Sequence, residues 1–131
     1  MTDQILFNFV GVVKKHLGRG KKLGFPTANI DIPMDLPEGI FVGYTKYEGK
    51  QLPSLIFIGT PMTFNEIDKK AEIYILDFDK DIYGEMLEVQ ALSHLRNNEK
   101  FADMKALIKQ MKKDLKDAKS FFKEREKRIT V

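Results

Sequence analysis

Gly39 to Gly59 reads GIFVGYTKYEGKQLPSLIFIG, two runs rich in β-branched and aromatic residues hinged at Glu48-Gly49. Such residues fit a pleated, half-buried surface, and a glycine-containing dipeptide between two such runs marks a turn. Gly39–Tyr47 and Leu52–Gly59 are therefore expected to be strands. The same signature recurs at Leu6–Val13, Ala71–Asp79 and Met86–Leu92, with Asp79-Lys80-Asp81 as a further turn signal. The links are too short for helical crossovers, so the pattern predicts antiparallel pairing and a small sheet closed into a barrel.

From Glu99 the apolar period changes. Phe101, Met104, Leu107, Ile108, Met111, Leu115, Ala118 and Phe122 fall at three- and four-residue steps with lysines between them, which predicts one long amphipathic helix. Its apolar stripe is expected to cover an open face or end of the barrel. The charged stretch from Lys123 is expected to fray.

With 131 residues, 43% of them hydrophobic, the chain suffices for a single domain over residues 1–131 with one core. The absence of cysteine and the presence of only two histidines exclude disulfides and a Cys- or His-built zinc site. A reducing, cytoplasmic setting fits. No leader-like N-terminus and no membrane-length apolar run appears, so no membrane partner is expected. The net charge of +3 is unevenly spread: residues 100–131 hold 11 Lys/Arg against 5 Asp/Glu, leaving residues 1–99 at −3. Lysines on the solvent side of a helix, without interleaved aromatics, predict no nucleic-acid partner.

The most pointed chemistry lies in Gly18-Arg19-Gly20-Lys21-Lys22-Leu23-Gly24-Phe25-Pro26-Thr27-Ala28-Asn29. Glycines let backbone N–H groups approach a phosphate, the cations offset its charge, and the Thr27 hydroxyl and Asn29 amide oxygen suit a hard metal. The spacing matches neither a Walker loop nor a dinucleotide fingerprint. On spacing alone a phosphate site and a plain turn closed by Pro26 stand level.

The whole run resembles the loop G-R-G-x-x-L-G-F-P-T-A-N of the riboflavin kinase (flavokinase) family. Further segments resemble the family in register: Leu36-Pro37-x-Gly39-Ile40-Phe41, Ile58-Gly59, Glu72 to Asp79 with Ile82-Tyr83-Gly84, and Leu95-Arg96 with Glu99-Lys100-Phe101. The resemblance covers residues 9–120. It implies a mainly β fold, a six-stranded antiparallel split barrel with a C-terminal helix, and phosphorylation of the riboflavin 5′-hydroxyl by ATP to give FMN. It also implies Mg²⁺ on Thr27 and Asn29, with Zn²⁺ and Mn²⁺ left open. The nucleotide would be held by Gly18, Arg19, Gly20, Lys21, Lys22, Gly24, Phe25, Pro26 and Thr27, with Ile75, Asp77 and Tyr83 nearby. Riboflavin or FMN would be met by Arg96, Glu99 and Phe101, although Phe101 serves the helix stripe equally well. The expected partners are these small molecules, and the expected state is a monomer.

The resemblance makes Glu72 the base that accepts the 5′-hydroxyl proton. Strand alternation puts it on one face with Tyr74, Leu76 and Phe78, and Ala71, Ile73 and Ile75 on the other. Both faces are apolar, so a buried strand and a buried, functional carboxylate are expected. Asp77, Asp79 and Asp81 read as turn residues and not as a metal cluster. His16, Pro61-Met62 and Tyr74 depart from the family pattern, which keeps a non-catalytic flavin- or nucleotide-binding barrel as the alternative. The resemblance begins almost at Met1, so no adenylyltransferase step beyond FMN is expected of this chain.

Overall fold

Alternation along the first strand sets the inside of the sheet. In Phe7–Lys14 (β1), Phe9 and Val13 are buried while Asn8, Val10, Val12 and Lys14 are exposed. The computed structural model describes residues 4–14, 27–32, 35–59 and 70–129. Within them follow β2 (Ala28–Asp31), β3 (Gly39–Tyr47), β4 (Lys50–Gly59), β5 (Lys70–Ile75), β6 (Met86–Arg96) and one long helix, α1 (Met104–Ile129). The chain divides into two compact units, Met1–Asn98 and Glu99–Val131.

The first unit is a closed barrel in the order β1-β2-β5-β4-β3-β6, every pair antiparallel. Closure leaves no strand with an unpaired edge. The expected barrel is therefore present. Its sixth strand, β2, has only four residues, two of them Asn and Asp, and escapes a search for apolar alternation.

The β3–β4 hairpin turns at Glu48 (φ 49°) and Gly49 (φ 76°). Two successive positive φ angles mark the type I′ turn, whose twist matches that of the flanking strands. Inside the barrel, Phe9, Val13, Ile30, Phe41, Ile56, Ile58, Ala71, Ile73, Leu87 and Val89 form one apolar cluster. Phe41 takes Phe7 edge-on at 4.8 Å between ring centroids and His94 at 5.2 Å. The cluster also encloses two hydroxyls: Thr45 Oγ1 and Ser54 Oγ lie 2.8 Å apart, and Ser54 Oγ donates to the Leu52 carbonyl at 2.9 Å. That pairing removes the cost of burying them.

Several boundaries differ from the sequence reading. β5 stops at Ile75, well short of Asp79, because Leu76 and Asp77 form a turn with Asp77 at φ 53°. β6 runs on to Arg96 through Ser93 and His94, polar residues that apolar alternation does not flag. The helix begins at Met104, not Glu99, where Asp103 Oδ1 accepts from Ala106 N at 2.8 Å. A carboxylate at that position satisfies one of the amides a helix start leaves unpaired. At its other end α1 continues helical to Ile129, past the expected fraying point, with a Lys127–Glu124 contact of 3.7 Å. Among the described residues no helix is long and apolar enough to cross a membrane.

Candidate active site

β2 and β5 pair so that Ala28 faces Ile73, Asn29 faces Glu72 and Ile30 faces Ala71. Ile30, Ala71 and Ile73 are in the core, so Asn29 and Glu72 project together from the outer surface. The same transverse line continues both ways. Lys14 on β1 pairs with Asn29, Phe57 on β4 with Glu72, Ile40 on β3 with Phe57, and Arg96 on β6 with Ile40. Cation, amide, carboxylate and aromatic ring thus succeed one another across β1, β2, β5 and β4.

Glu72 is exposed, which corrects the expectation of a buried carboxylate. Only the Ala71, Ile73 and Ile75 face of β5 turns into the core, and Tyr74 on the other face is half-buried. Apolar composition on both faces of a short strand does not reveal which face the barrel encloses.

Asn29 is the buried polar member of the line, 9% exposed. Its Nδ2 donates to the Thr27 carbonyl at 3.4 Å, and among the described residues its Oδ1 receives no hydrogen bond. Thr27 stands two residues earlier, just ahead of β2. A hydroxyl and an uncommitted amide oxygen form a neutral, hard-oxygen donor set of the kind Mg²⁺ accepts when phosphates and water complete its shell. The described residues contain no group of three or more His, Cys, Asp or Glu able to hold a metal.

The remaining expected residues divide between the barrel's two ends. Lys14, Ala28 and Ile75 end or begin their strands at one end, and Asp77 follows Ile75 there. Tyr83 belongs to the same end, since its neighbour Gly84 donates to the Val13 carbonyl at 3.0 Å. Tyr83 is 60% exposed, and its backbone N–H bonds Asp81 Oδ1 at 3.0 Å. Ile75 belongs to the core cluster. Arg96 lies at the opposite end, with Nη1 donating to the Asn97 carbonyl at 3.1 Å. Asn98 Nδ2 donates to the Ile58 carbonyl at 3.1 Å and fixes the chain after β6 against β4. Glu99 is exposed and Phe101 half-buried in the second unit, ahead of α1. Gly18, Arg19, Gly20, Lys21, Lys22, Gly24, Phe25 and Pro26, with His16 and Pro61-Met62, lie outside the described residues. Sequence reasoning missed Lys14 and Phe57. Alternation places both on the outer surface, but only the register puts them beside Asn29 and Glu72.

The sequence model of the flavokinase family, riboflavin kinase, matches residues 4–122. The chain belongs to the riboflavin kinase family. The match takes in the whole barrel and most of α1. Human riboflavin kinase is 32% identical over 118 residues, covering 83% of this chain and 76% of that protein. The trifunctional protein RibF/MnmA of Mycoplasmoides gallisepticum is 37% identical over 124 residues, covering 92% of this chain and 19% of the relative. A crystal structure described as a macrolide-efflux protein from Streptococcus pneumoniae superposes with a TM-score of 0.77 at 29% identity, covering 86% of this chain and 38% of that one. The chain thus spans only a fraction of the length of several proteins it matches.

Proposed function

We propose that the chain is an ATP-dependent riboflavin kinase, a cytoplasmic monomer that makes FMN and ADP from riboflavin and ATP. The observation that carries this reading is the register of β2 on β5, with Asn29 directly opposite Glu72 on the outer face. A metal-ligating amide and a carboxylate base are thereby neighbours, as phosphoryl transfer requires.

In this reading the riboflavin 5′-oxygen attacks the γ-phosphorus while the bond to the β,γ-bridging oxygen breaks, and that electron pair leaves with ADP. Glu72 accepts the hydroxyl proton and orients the nucleophile. Exposed, it carries its charge without the cost that burial imposes. Thr27 Oγ1 and Asn29 Oδ1 would hold Mg²⁺, which when bound neutralises phosphate charge. Backbone amides of Gly18–Gly24, with Lys21 or Lys22, would cradle the β- and γ-phosphates. Asp77 and Tyr83 stand toward the nucleotide, and Arg96 toward the flavin.

The test is FMN formation from riboflavin, ATP and Mg²⁺, with Glu72→Gln beside wild type. Loss of a general base costs about 10²–10⁴-fold, so kcat should fall at least about 100-fold with the unfolding midpoint unchanged. Full turnover by the variant would remove Glu72 from the mechanism. Riboflavin binding without any FMN from wild type would make the barrel a non-catalytic flavin binder.

A further inference from the structure

We propose that Lys14 is a contact for the transferred γ-phosphoryl group, closing the side of the site opposite Glu72. The inference rests on the kinase reading above. Lys14 is the last residue of β1, exposed on the outer face, with Asn29 as its register partner. Asn29 in turn pairs with Glu72, so Lys14 and Glu72 are the register neighbours of Asn29 on its two sides. Strands in a sheet lie about 4.8 Å apart, which puts the Lys14 and Glu72 backbones about 10 Å from each other. A gap of that size, two strands wide, has room for a phosphoryl group above Asn29 between the two side chains.

The surroundings leave Lys14 available. β6 ends its pairing with β1 at Val12–Met86, so no β6 side chain stands beside Lys14 on its other flank. Glu85 follows the turn there, its carbonyl accepting from Val13 N at 2.9 Å, but its carboxylate acts on the Tyr47 phenol. Lys14 forms no ion pair among the described residues. It also ends the strand from which the chain enters the glycine-rich run. A cation beside a neutral metal-ligand pair supplies positive charge where the phosphoryl oxygens gather negative charge, which is where fixed charge lowers the barrier most. Lys14 exchanges no proton: Glu72 receives the hydroxyl proton, and ADP leaves with the electron pair.

The contact is to the γ-phosphoryl group, so it separates triphosphate from diphosphate. By calorimetry, wild type should bind the non-hydrolysable analogue β,γ-imido-ATP more tightly than ADP. Lys14→Gln should weaken analogue binding by about tenfold or more, leave ADP binding unchanged, lower kcat/KM for FMN formation by a similar factor, and keep the unfolding midpoint. Lys14→Arg should restore most of the loss. Equal analogue and ADP binding in wild type and Lys14→Gln would overturn the contact, whether or not FMN is made. A wild type that makes no FMN yet shows the Lys14-dependent preference would uphold the contact and overturn the kinase reading.

Discussion

Gly43 lies on β3 where a side chain would run into the backbone of β6. A Cβ added there would fall on the Gln90 carbonyl oxygen and against the Ala91 backbone, neither of which can rotate away. The ladder is already irregular at this point, with a register shift between Val42 and Gly43. Gly43→Ala is therefore expected to cost about 3 kcal/mol, an overpacking penalty without a flexible side chain to absorb it. The thermal midpoint should drop by about 10 °C, and an unchanged midpoint would show that the strands separate there without cost. The sequence flags Gly43 only as a glycine inside a strand. Its meaning depends on β6, which arrives from far along the chain.

Helix α1 owes its start to a single carboxylate. Asp103 holds the Ala106 amide at 2.8 Å, and α1 has no acidic residue in its first turn to favour the positive end of the helix dipole. Asp103→Ala should cost about 1 kcal/mol and lower the thermal midpoint by about 4 °C. Asp103→Asn, which keeps the acceptor, should recover most of it. A loss in the asparagine variant equal to that in alanine would assign the effect to charge and not to the cap. The helix itself was legible because its stripe repeats over many turns, whereas its first residue was not. Phe101 continues the apolar spacing ahead of the cap, so periodicity alone places the start too early. The strands show the same division: β3 and β4 follow from alternation and the Glu48-Gly49 turn, while β2 is too short and too polar to announce itself.

At the scale of the whole molecule, one end of the barrel is joined by contacts between distant segments. Phe78, in the β5–β6 connection, packs edge-on against Tyr47 at 5.8 Å between ring centroids. Lys80 lies 3.5 Å from Glu48 and 5.5 Å from the centre of the Tyr47 ring. The Glu48 carboxylate raises the Lys80 pKa above its usual 10.5. Burial, followed by the Glu48 and Glu85 carboxylates, raises that of Tyr47 above 10.0, with Lys80 acting in the opposite sense. Both groups hold their protons more tightly when folded. Their stabilisation is complete below the unfolded values and is lost as pH rises through the folded ones. The thermal midpoint should fall as pH climbs above about 10, and Tyr47→Phe should flatten part of that fall. A variant that declines as steeply as wild type would show that Tyr47 contributes none of it.

The amino-acid sequence by itself determined the elements that depend on neighbours in the chain: the hairpin at Glu48-Gly49, the alternation of β1, β3 and β4, the helical stripe, and the motifs that mark the riboflavin kinase family. It also brought Thr27, Asn29 and Glu72 forward, because each stands in a recognisable local pattern. Only the tertiary structure decided that Asn29 and Glu72 face each other, that Lys14 and Phe57 complete their line, and that Glu72 points outward. The physical reason is that register between strands far apart in sequence is set by which faces the closed barrel can bury. A shift of one residue would turn Ile30, Ala71 and Ile73 out to solvent. The burial of those three side chains aligns the amide with the carboxylate.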